Sequence, residues 1–238
     1  MRLDKLLFEK NFAKTRQKAQ EYIKAGLVKV NGIIVTKPGV NIAADCVLEV
    51  NKPENEYVSR GGYKLEKALS VFDVDVKDKI CLDVGASTGG FTECLLRFGA
   101  KRVYAVDVGK SQLDISLAQN KNVISMETTD IRSLTKLPEA VEFATIDVSF
   151  ISILKVLPSI KTLMPHGDII ALVKPQFEAG RQNIGKNGIV KNPKIHIQVL
   201  DNIIKQAVDY SLYAKDLDIS PIKGGEGNTE FLIHFSSI

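Results

Sequence analysis

Apolar and polar positions divide the chain into a long segment of alternating strands and helices and a shorter segment before it. From Ser59 onward, short runs rich in β-branched residues alternate with amphipathic stretches. This alternation is typical of a doubly wound, mostly parallel sheet with helices on both faces, so we predict an α/β, Rossmann-like fold. The predicted strands are Ile80–Val84, Val103–Asp107, Val123–Met126, Phe143–Asp147, Asp168–Lys174, Ala214–Ile219 and Phe231–Phe235.

The first 50 residues carry a different pattern, two short helices followed by a hairpin. A stripe of leucines near the start predicts the first helix. Thr15 stands at the N-cap of a second helix that ends near Gly26, and Asn31-Gly32 between two apolar runs is a strong hairpin signal. The predicted organisation is a small α+β domain at residues 1–50, a polar linker at 51–58 and a large α/β domain at 59–238.

Composition and charge narrow the possible partners. The hydrophobic share is 45% and the charged share 25%, which are ordinary globular values. The net charge is +4, and all of this excess lies in residues 1–50. A basic segment of this kind is typical of contact with a polyanion, although a solvated lysine-rich surface remains the alternative. Without an export signal, a membrane-length apolar run or a metal-binding spacing of cysteines, we expect a cytoplasmic protein with no metal.

Three motifs in the basic segment bear on which polyanion it binds, with DNA and anionic lipid as minor alternatives to RNA. The runs Arg2–Leu7, Thr15–Ala19 and Gly26–Gly32 resemble, in order and spacing, the small RNA-binding domain named after ribosomal protein S4. The resemblance implies RNA as the partner. The predicted RNA contacts in this segment are Arg2, Lys5, Arg16, Lys18, Lys24 and Lys29.

Acidic residues end four successive predicted strands of the large domain, where ligands bind in open sheets of this type. Ser87 occupies the second glycine position of the dinucleotide fingerprint, and Asp83 before the turn would repel a phosphate. An acid there suits the cationic amine of S-adenosylmethionine better than NAD. Asp107 is placed to accept ribose hydroxyls and Asp130 to bond an adenine amine, although each acid alone is explained as well by a helix cap. The predicted donor site comprises Asp83, Gly85, Ser87, Gly89, Gly90, Asp107, Asp130 and Asp147.

A lysine, Lys174, ends the fifth predicted strand, where a side chain is partly buried. Desolvation favours a neutral amine, which can take the proton of a ribose hydroxyl as that oxygen attacks a methyl group. The alternative is an ion pair with Asp147 that only stabilises the sheet. Methylation of a base amine is disfavoured because Val148-Ser149 replaces the usual prolines. Methylation of a base carbon is disfavoured because no cysteine follows Cys94.

Six ordered motifs over nearly the whole chain closely resemble the TlyA, or haemolysin A, family, which is similar to the FtsJ group of ribosomal RNA 2′-O-methyltransferases. The resemblance implies a class I methyltransferase fold, methylation of a ribose 2′-hydroxyl on a cytidine, and a catalytic tetrad. The alternatives are a non-catalytic RNA-binding or ribosome-binding factor and a haemolysin. The motifs are Ser59–Leu65, Asp83–Thr92, Val106–Gly109, Asp147–Ser152, Leu172–Glu178 and Gly227–Glu230, and the tetrad falls on Lys64, Asp147, Lys174 and Glu230.

Within this tetrad we expect Lys174 to be the base and Asp147 its orienting group. Lys64 lies opposite the apolar face of its predicted helix, so we expect it to face solvent or substrate. It and Glu230 are expected to position the substrate. A glycine-punctuated basic loop, Glu178–Lys194, is expected to hold the RNA backbone, with a mobile solvated loop as the alternative. The RNA contacts predicted in the large domain are Arg60, Arg181, Lys186 and Lys191.

Overall fold

The computed structural model describes residues 1–13, 15–51 and 56–237. The chain forms two units, the first from Met1 to Glu56 and the second from Tyr57 to the end. Positions 52–55 of the predicted linker lie outside the described residues. Tyr57 is buried in the core of the second unit, which therefore begins two residues before the predicted boundary.

The first unit packs two helices against a three-stranded antiparallel sheet in the order β2-β1-β3. The N-cap prediction is confirmed, because the Thr15 side chain accepts a hydrogen bond from the backbone N–H of Lys18. The hairpin around Asn31-Gly32 is also confirmed. The elements are α1 Leu3–Glu9, α2 Arg16–Lys24, β1 Val28–Val30, β2 Ile33–Ile34 and β3 Leu48–Val50.

The second unit is built on a seven-stranded sheet in the order β6-β5-β4-β7-β8-β10-β9, in which β10 runs antiparallel to both neighbours. The doubly wound prediction is confirmed. The elements are α3 Gly61–Val71, β4 Ile80–Val84, α4 Gly90–Arg97, β5 Arg102–Val106, α5 Ile115–Ala118, β6 Val123–Met126, β7 Phe143–Ile146, α6 Leu157–Leu163, β8 Asp168–Val173, α7 Pro175–Glu178, α8 Pro193–Ala207, β9 Leu212–Ile219 and β10 Phe231–Ser237.

Helices cover both faces of this sheet. On one face, α6 and α8 pack on the sheet through side chains such as Leu157 and Ile203, and on the other α3 and α4 do so through Leu65 and Leu95. Because both faces are covered, the parallel strands are almost wholly apolar. Polar side chains reach the interior of the fold mainly at the strand ends. Asp107, Asp147 and Lys174 each follow the last residue of a strand, on β5, β7 and β8.

Candidate active site

A cavity of about 330 Å³ lies at the carboxyl ends of β4, β5 and β7. Parallel strands that end at one edge of the sheet place their following loops side by side, so the cavity is built by loops that are distant in sequence. It contains five of the predicted donor-site residues, Gly85, Ser87, Asp107, Asp130 and Asp147. Its wall is completed by further side chains that include Val108, Gln112, Ile131 and Phe150.

The turn after β4 needs glycine at its first position. Gly85 has φ +87°, and a Cβ atom there would lie 2.5 Å from the backbone oxygen of Asp147. Asp107 joins this turn to the loop after β5, because its carboxylate accepts hydrogen bonds from the backbone N–H groups of Ser87 (2.8 Å) and Gly109 (2.7 Å). The glycine and the acid together fix one side of the cavity.

Gly89 and Gly90, predicted to approach the donor, do not line the cavity. A Cβ atom at Gly89 would lie 2.3 Å from Leu117 Cδ1, and one at Gly90 would lie 2.8 Å from the backbone nitrogen of Gly62. Both positions are small because helices approach closely there.

Asp83 also lies elsewhere than predicted. Its side chain is fully buried and does not line the cavity, so it does not present a carboxylate to a ligand amine. Thr92 Oγ1 and Thr145 Oγ1 donate hydrogen bonds to it, at 2.6 and 2.9 Å. Burial raises the pKa of Asp83 to about 6, against the opposing effect of these hydrogen bonds. Asp83 links β4 to α4 and β7 beneath the cavity.

Two acids follow β6. Asp130 lines the cavity as predicted, and its carboxylate also caps the 3₁₀ turn Ile131–Ser133 and pairs with Arg132 at 2.6 Å. Glu127, which the sequence did not single out, accepts hydrogen bonds from the backbone N–H groups of residues 111, 112 and 113, at 2.9, 2.6 and 3.0 Å. These bonds lower the pKa of Glu127 and hold the loop that brings Gln112 into the cavity wall.

Lys174 and Asp147 meet beside the cavity. Lys174 Nζ lies 2.7 Å from Asp147 Oδ1 and donates a hydrogen bond to Ser149 Oγ at 2.8 Å. The contact with Asp147 has the distance of an ion pair without the alignment of a hydrogen bond, since that oxygen is buried without a hydrogen-bond donor. Two groups that follow β7 therefore hold the lysine that follows β8 in place.

The other two members of the tetrad form a second, more buried pair. Lys64 Nζ donates to Glu230 Oε2 at 2.5 Å, and both residues are buried. Lys64 therefore points towards Glu230 rather than towards solvent, because the segment before β10 covers that side of α3, and its contact with substrate stays a prediction. Phe231 pairs with Val173 in the sheet, so Glu230 and Lys174 come next in register at the same edge.

Phe150 is 91% exposed at the cavity wall and has φ +64°. A phenylalanine in this left-handed conformation is strained, and its ring gains little burial in return. The nearest aromatic ring is that of Phe177, with centroids 5.1 Å apart. Phe150 lies within the motif Asp147–Ser152, but no role for it was predicted from the sequence.

The basic loop Glu178–Lys194 is anchored by a buried asparagine. Asn228 accepts a hydrogen bond from Val190 N–H at 2.9 Å and donates one to the Gly188 backbone oxygen at 3.0 Å. The loop is thus tied to the segment that carries Glu230. Its predicted RNA contacts, Arg181, Lys186 and Lys191, are all exposed, as is Arg60 before α3.

Most of the basic residues predicted to bind RNA in the first unit are paired with acids of that unit. Lys24 is exposed in the last turn of α2. The ion pairs are Arg2–Asp4 and Arg16–Asp4 at 3.0 Å, Lys5–Glu9 at 3.5 Å, Lys18–Glu21 at 3.6 Å and Lys29–Glu49 at 3.8 Å.

Across the described ranges, no helix has the length and apolar character needed to cross a membrane. The His, Cys, Asp and Glu side chains of these same ranges form no group of three suited to a metal ion.

The sheet order and the cavity at the strand ends define a Rossmann-like, S-adenosylmethionine-dependent type of methyltransferase. Solved structures of such enzymes with 16% and 10% identity share the fold, with TM-scores of 0.55 and 0.52 over 75% and 71% of this chain and 98% and 96% of theirs. The family model described as FtsJ-like methyltransferase matches residues 57–237, and the S4 domain model matches residues 1–45. The chain belongs to the TlyA, or hemolysin A, family of FtsJ-like methyltransferases.

Relatives over the whole chain support this assignment. Hemolysin A of Brachyspira hyodysenteriae is 44% identical over 99% of both chains. The 16S/23S rRNA (cytidine-2'-O)-methyltransferase TlyA of Mycobacterium tuberculosis is 39% identical over 98% of this chain and 88% of its own. A solved structure described as a hemolysin, from Streptococcus thermophilus, is 47% identical with a TM-score of 0.80, covering 100% of this chain and 88% of its own.

Proposed function

We propose that the chain transfers a methyl group from S-adenosylmethionine to the 2′-hydroxyl of a cytidine ribose in ribosomal RNA, in the cytoplasm. The observation that carries the proposal is the Lys174–Asp147 pair, held at two strand ends beside the cavity. The name of the Mycobacterium tuberculosis relative supports the substrate and the nucleotide.

The residues of the cavity fit the donor. Asp107 is an acid at the end of β5 with two oxygens that each keep a second lone pair for ribose hydroxyls, and Asp130 can accept from an adenine amine. Val108 and Ile131 supply apolar wall. When bound, the donor supplies an electrophilic methyl group on a sulfonium. Asp83 acts from below by holding the strands and helix that shape the cavity.

The four residues of the tetrad act on the acceptor, which is the ribose hydroxyl. Lys174 takes the proton of the ribose hydroxyl as its oxygen attacks, and Asp147 and Ser149 fix the position of Nζ during this transfer. Lys64 on α3 and Glu230, which directly precedes β10, position the ribose. The displacement is in line, without a covalent enzyme intermediate, so the residues contribute mainly alignment.

RNA binding is divided between the basic face of the first unit and the Glu178–Lys194 loop. The loop is exposed yet anchored by Asn228, so its lysines and arginine need little further ordering to contact a backbone. In the first unit, the exposed ends of the basic side chains are the proposed phosphate contacts.

The test is methyl transfer from radiolabelled S-adenosylmethionine to unmodified ribosomal subunits, followed by digestion to nucleosides. Wild type should label a 2′-O-methylcytidine, and Lys174→Ala should lose nearly all of this label. Lys121→Ala is the matched control, because Lys121 is exposed ahead of β6 at the opposite sheet edge. Label on a base would contradict the reaction. No label in any RNA would favour a non-catalytic RNA-binding factor instead.

The pH dependence separates a base from a merely positive group. A lysine must release its own proton before it can accept another, so the wild-type transfer rate should rise with pH. A rate independent of pH, with Lys174→Arg retaining activity, would show that Lys174 acts only as a cation.

A further inference from the structure

A carboxylate lies buried beneath two arginines of the first unit. Asp4 has 0% exposed surface, whereas the side chains of Arg2 and Arg16 are each 50% exposed. A buried carboxylate needs several donors to offset its desolvation. The two guanidinium groups supply part of this stabilisation and lie between the carboxylate and the solvent.

Both oxygens of Asp4 are fully engaged. Oδ1 accepts hydrogen bonds from Arg2 Nε at 3.0 Å and from the Lys5 backbone N–H at 2.9 Å. Oδ2 accepts from Arg2 Nη2 and Arg16 Nη2, both at 3.0 Å, and from Gln20 Nε2 at 2.8 Å. Arg2 is therefore held as a bidentate fork, the pairing that best fixes the plane of a guanidinium.

The shared oxygen also fixes the spacing of the two arginines. Their Nη2 atoms are at most about 6 Å apart, because each lies 3.0 Å from Asp4 Oδ2. Two guanidinium groups at this spacing can both donate to the oxygens of one phosphate. Together with Asp4 they carry a net charge of +1, so the cluster still attracts an anion.

We propose that Asp4 is a positioning residue for RNA, which holds Arg2 and Arg16 as one site for a backbone phosphate. The inference rests on the proposed function, since it takes RNA as the partner. By fixing two long side chains before binding, Asp4 removes much of the entropy cost that free arginines would incur on contact with the RNA.

The sign of one substitution tests this role. Asp4→Asn removes a negative charge from a basic unit, so electrostatics alone predicts tighter RNA binding. Positioning predicts the opposite, a weakening of about fivefold or more, because the arginines lose their shared anchor. Glu49→Gln is the matched control. Glu49 is an exposed acid of the same unit, paired with Lys29 at 3.8 Å, and its loss should leave binding unchanged or make it tighter.

The measurement is the dissociation constant of the full-length chain for a fluorescent ribosomal RNA fragment, at several salt concentrations. Asp4→Asn is also combined with Arg2→Gln and Arg16→Gln in one triple variant. If Asp4 acts through the arginines, Asp4→Asn should weaken binding in the wild-type background and have no further effect when both arginines are absent. Equal weakening in both backgrounds would show that Asp4 only maintains the fold, and would overturn the proposal.

A second variant covers the case in which Asp4→Asn fails to fold, as judged by circular dichroism. Gln20→Met removes one hydrogen bond to Asp4 Oδ2 with little change in side-chain length. It should weaken RNA binding in a folded protein, and unchanged binding would overturn the proposal. If wild type binds no ribosomal RNA, the proposed function and this inference both fail. If wild type binds and folded Asp4→Asn binds at least as tightly, this inference alone fails.

Discussion

At the residue scale, the buried carboxyl group of Asp83 makes the stability of the fold depend on pH. Its pKa of about 6 lies above the ordinary value of 3.8, because burial disfavours the carboxylate. Between these values the folded state holds a proton that the unfolded state has lost, so the free energy of unfolding falls as pH rises through this window. We expect Asp83→Asn to gain stability relative to wild type between about pH 4 and about pH 7, on the order of 2–3 kcal/mol.

The measurement is urea denaturation followed by circular dichroism at both ends of this pH range. Asp209→Asn, at an exposed position of the same unit, should show no such pH-dependent difference from wild type. If Asp83→Asn differed from wild type equally at low and high pH, the effect would come from packing and hydrogen bonds rather than from ionisation.

Substitution of Phe150 is expected to change activity more than stability. Its left-handed backbone is strained and its ring is largely exposed, so Phe150→Gly should change the free energy of unfolding by less than about 1 kcal/mol. The same exposed ring at the cavity wall is suited to stack on a nucleobase, and loss of such stacking costs about 1–3 kcal/mol. We therefore expect Phe150→Gly to lower methyl transfer at least about fivefold, measured as kcat/KM for RNA.

Phe150→Tyr provides the control, since it keeps the aromatic face and should keep most of the activity. Loss of activity in the tyrosine variant as well as the glycine variant would argue against stacking.

At the scale of elements, two helices approach each other through glycines. A Cβ atom at Gly62 on α3 would lie 2.2 Å from the ring of Tyr57, and Gly90 at the start of α4 lies against the Gly62 backbone. Gly62→Ala should therefore destabilise the second unit by about 1–3 kcal/mol through overpacking, measured by urea denaturation. Gly225→Ala is the matched control because nothing lies within 4 Å of a Cβ there. Equal stability of the two variants would show that Tyr57 moves aside at little cost.

The strands were predicted well from sequence because both faces of the sheet are covered. Covered parallel strands are continuous apolar runs, and all seven were placed within two residues of their ends. The strand β3, Leu48–Val50, was missed. It has only three residues, and its partner β1 is distant in sequence, with Val50 opposite Val28. A pairing between strands so far apart in sequence cannot be predicted from a local turn motif.

The candidate site was predicted in its location and only partly in its contacts. Acids at strand ends were predicted to lie near a ligand, and Asp107, Asp130 and Asp147 do line the cavity. The pattern cannot say which way a side chain leaves a strand, and Asp83 points into the core. Lys64 lies at the flank of the apolar face of α3, and Glu230, distant in sequence, covers it there. The roles assigned to these residues remain predictions.

At the scale of the whole molecule, the excess positive charge lies in one unit and the proposed catalytic residues lie in the other. The excess positive charge of the sequence falls within residues 1–50, whereas the cavity and the tetrad lie in the second unit. Nonspecific attraction of RNA should therefore depend mainly on the first unit, with the Glu178–Lys194 loop contributing less, and the chemical step should depend on the second. This division predicts that substitutions in the first unit raise KM for RNA and leave kcat and donor affinity unchanged.

Lys5 and Lys24, both exposed, are suited to test this division. Each phosphate contact that is lost should reduce the slope of log K against log salt by about 0.7–0.9. We expect the double variant Lys5→Gln/Lys24→Gln to lower this slope by about 1.5 and to raise KM for RNA several-fold, with kcat unchanged. Lys121→Gln, an exposed lysine of the second unit, should leave the slope unchanged. If the two variants reduced the slope equally, RNA attraction would be a property of the whole surface rather than of the first unit.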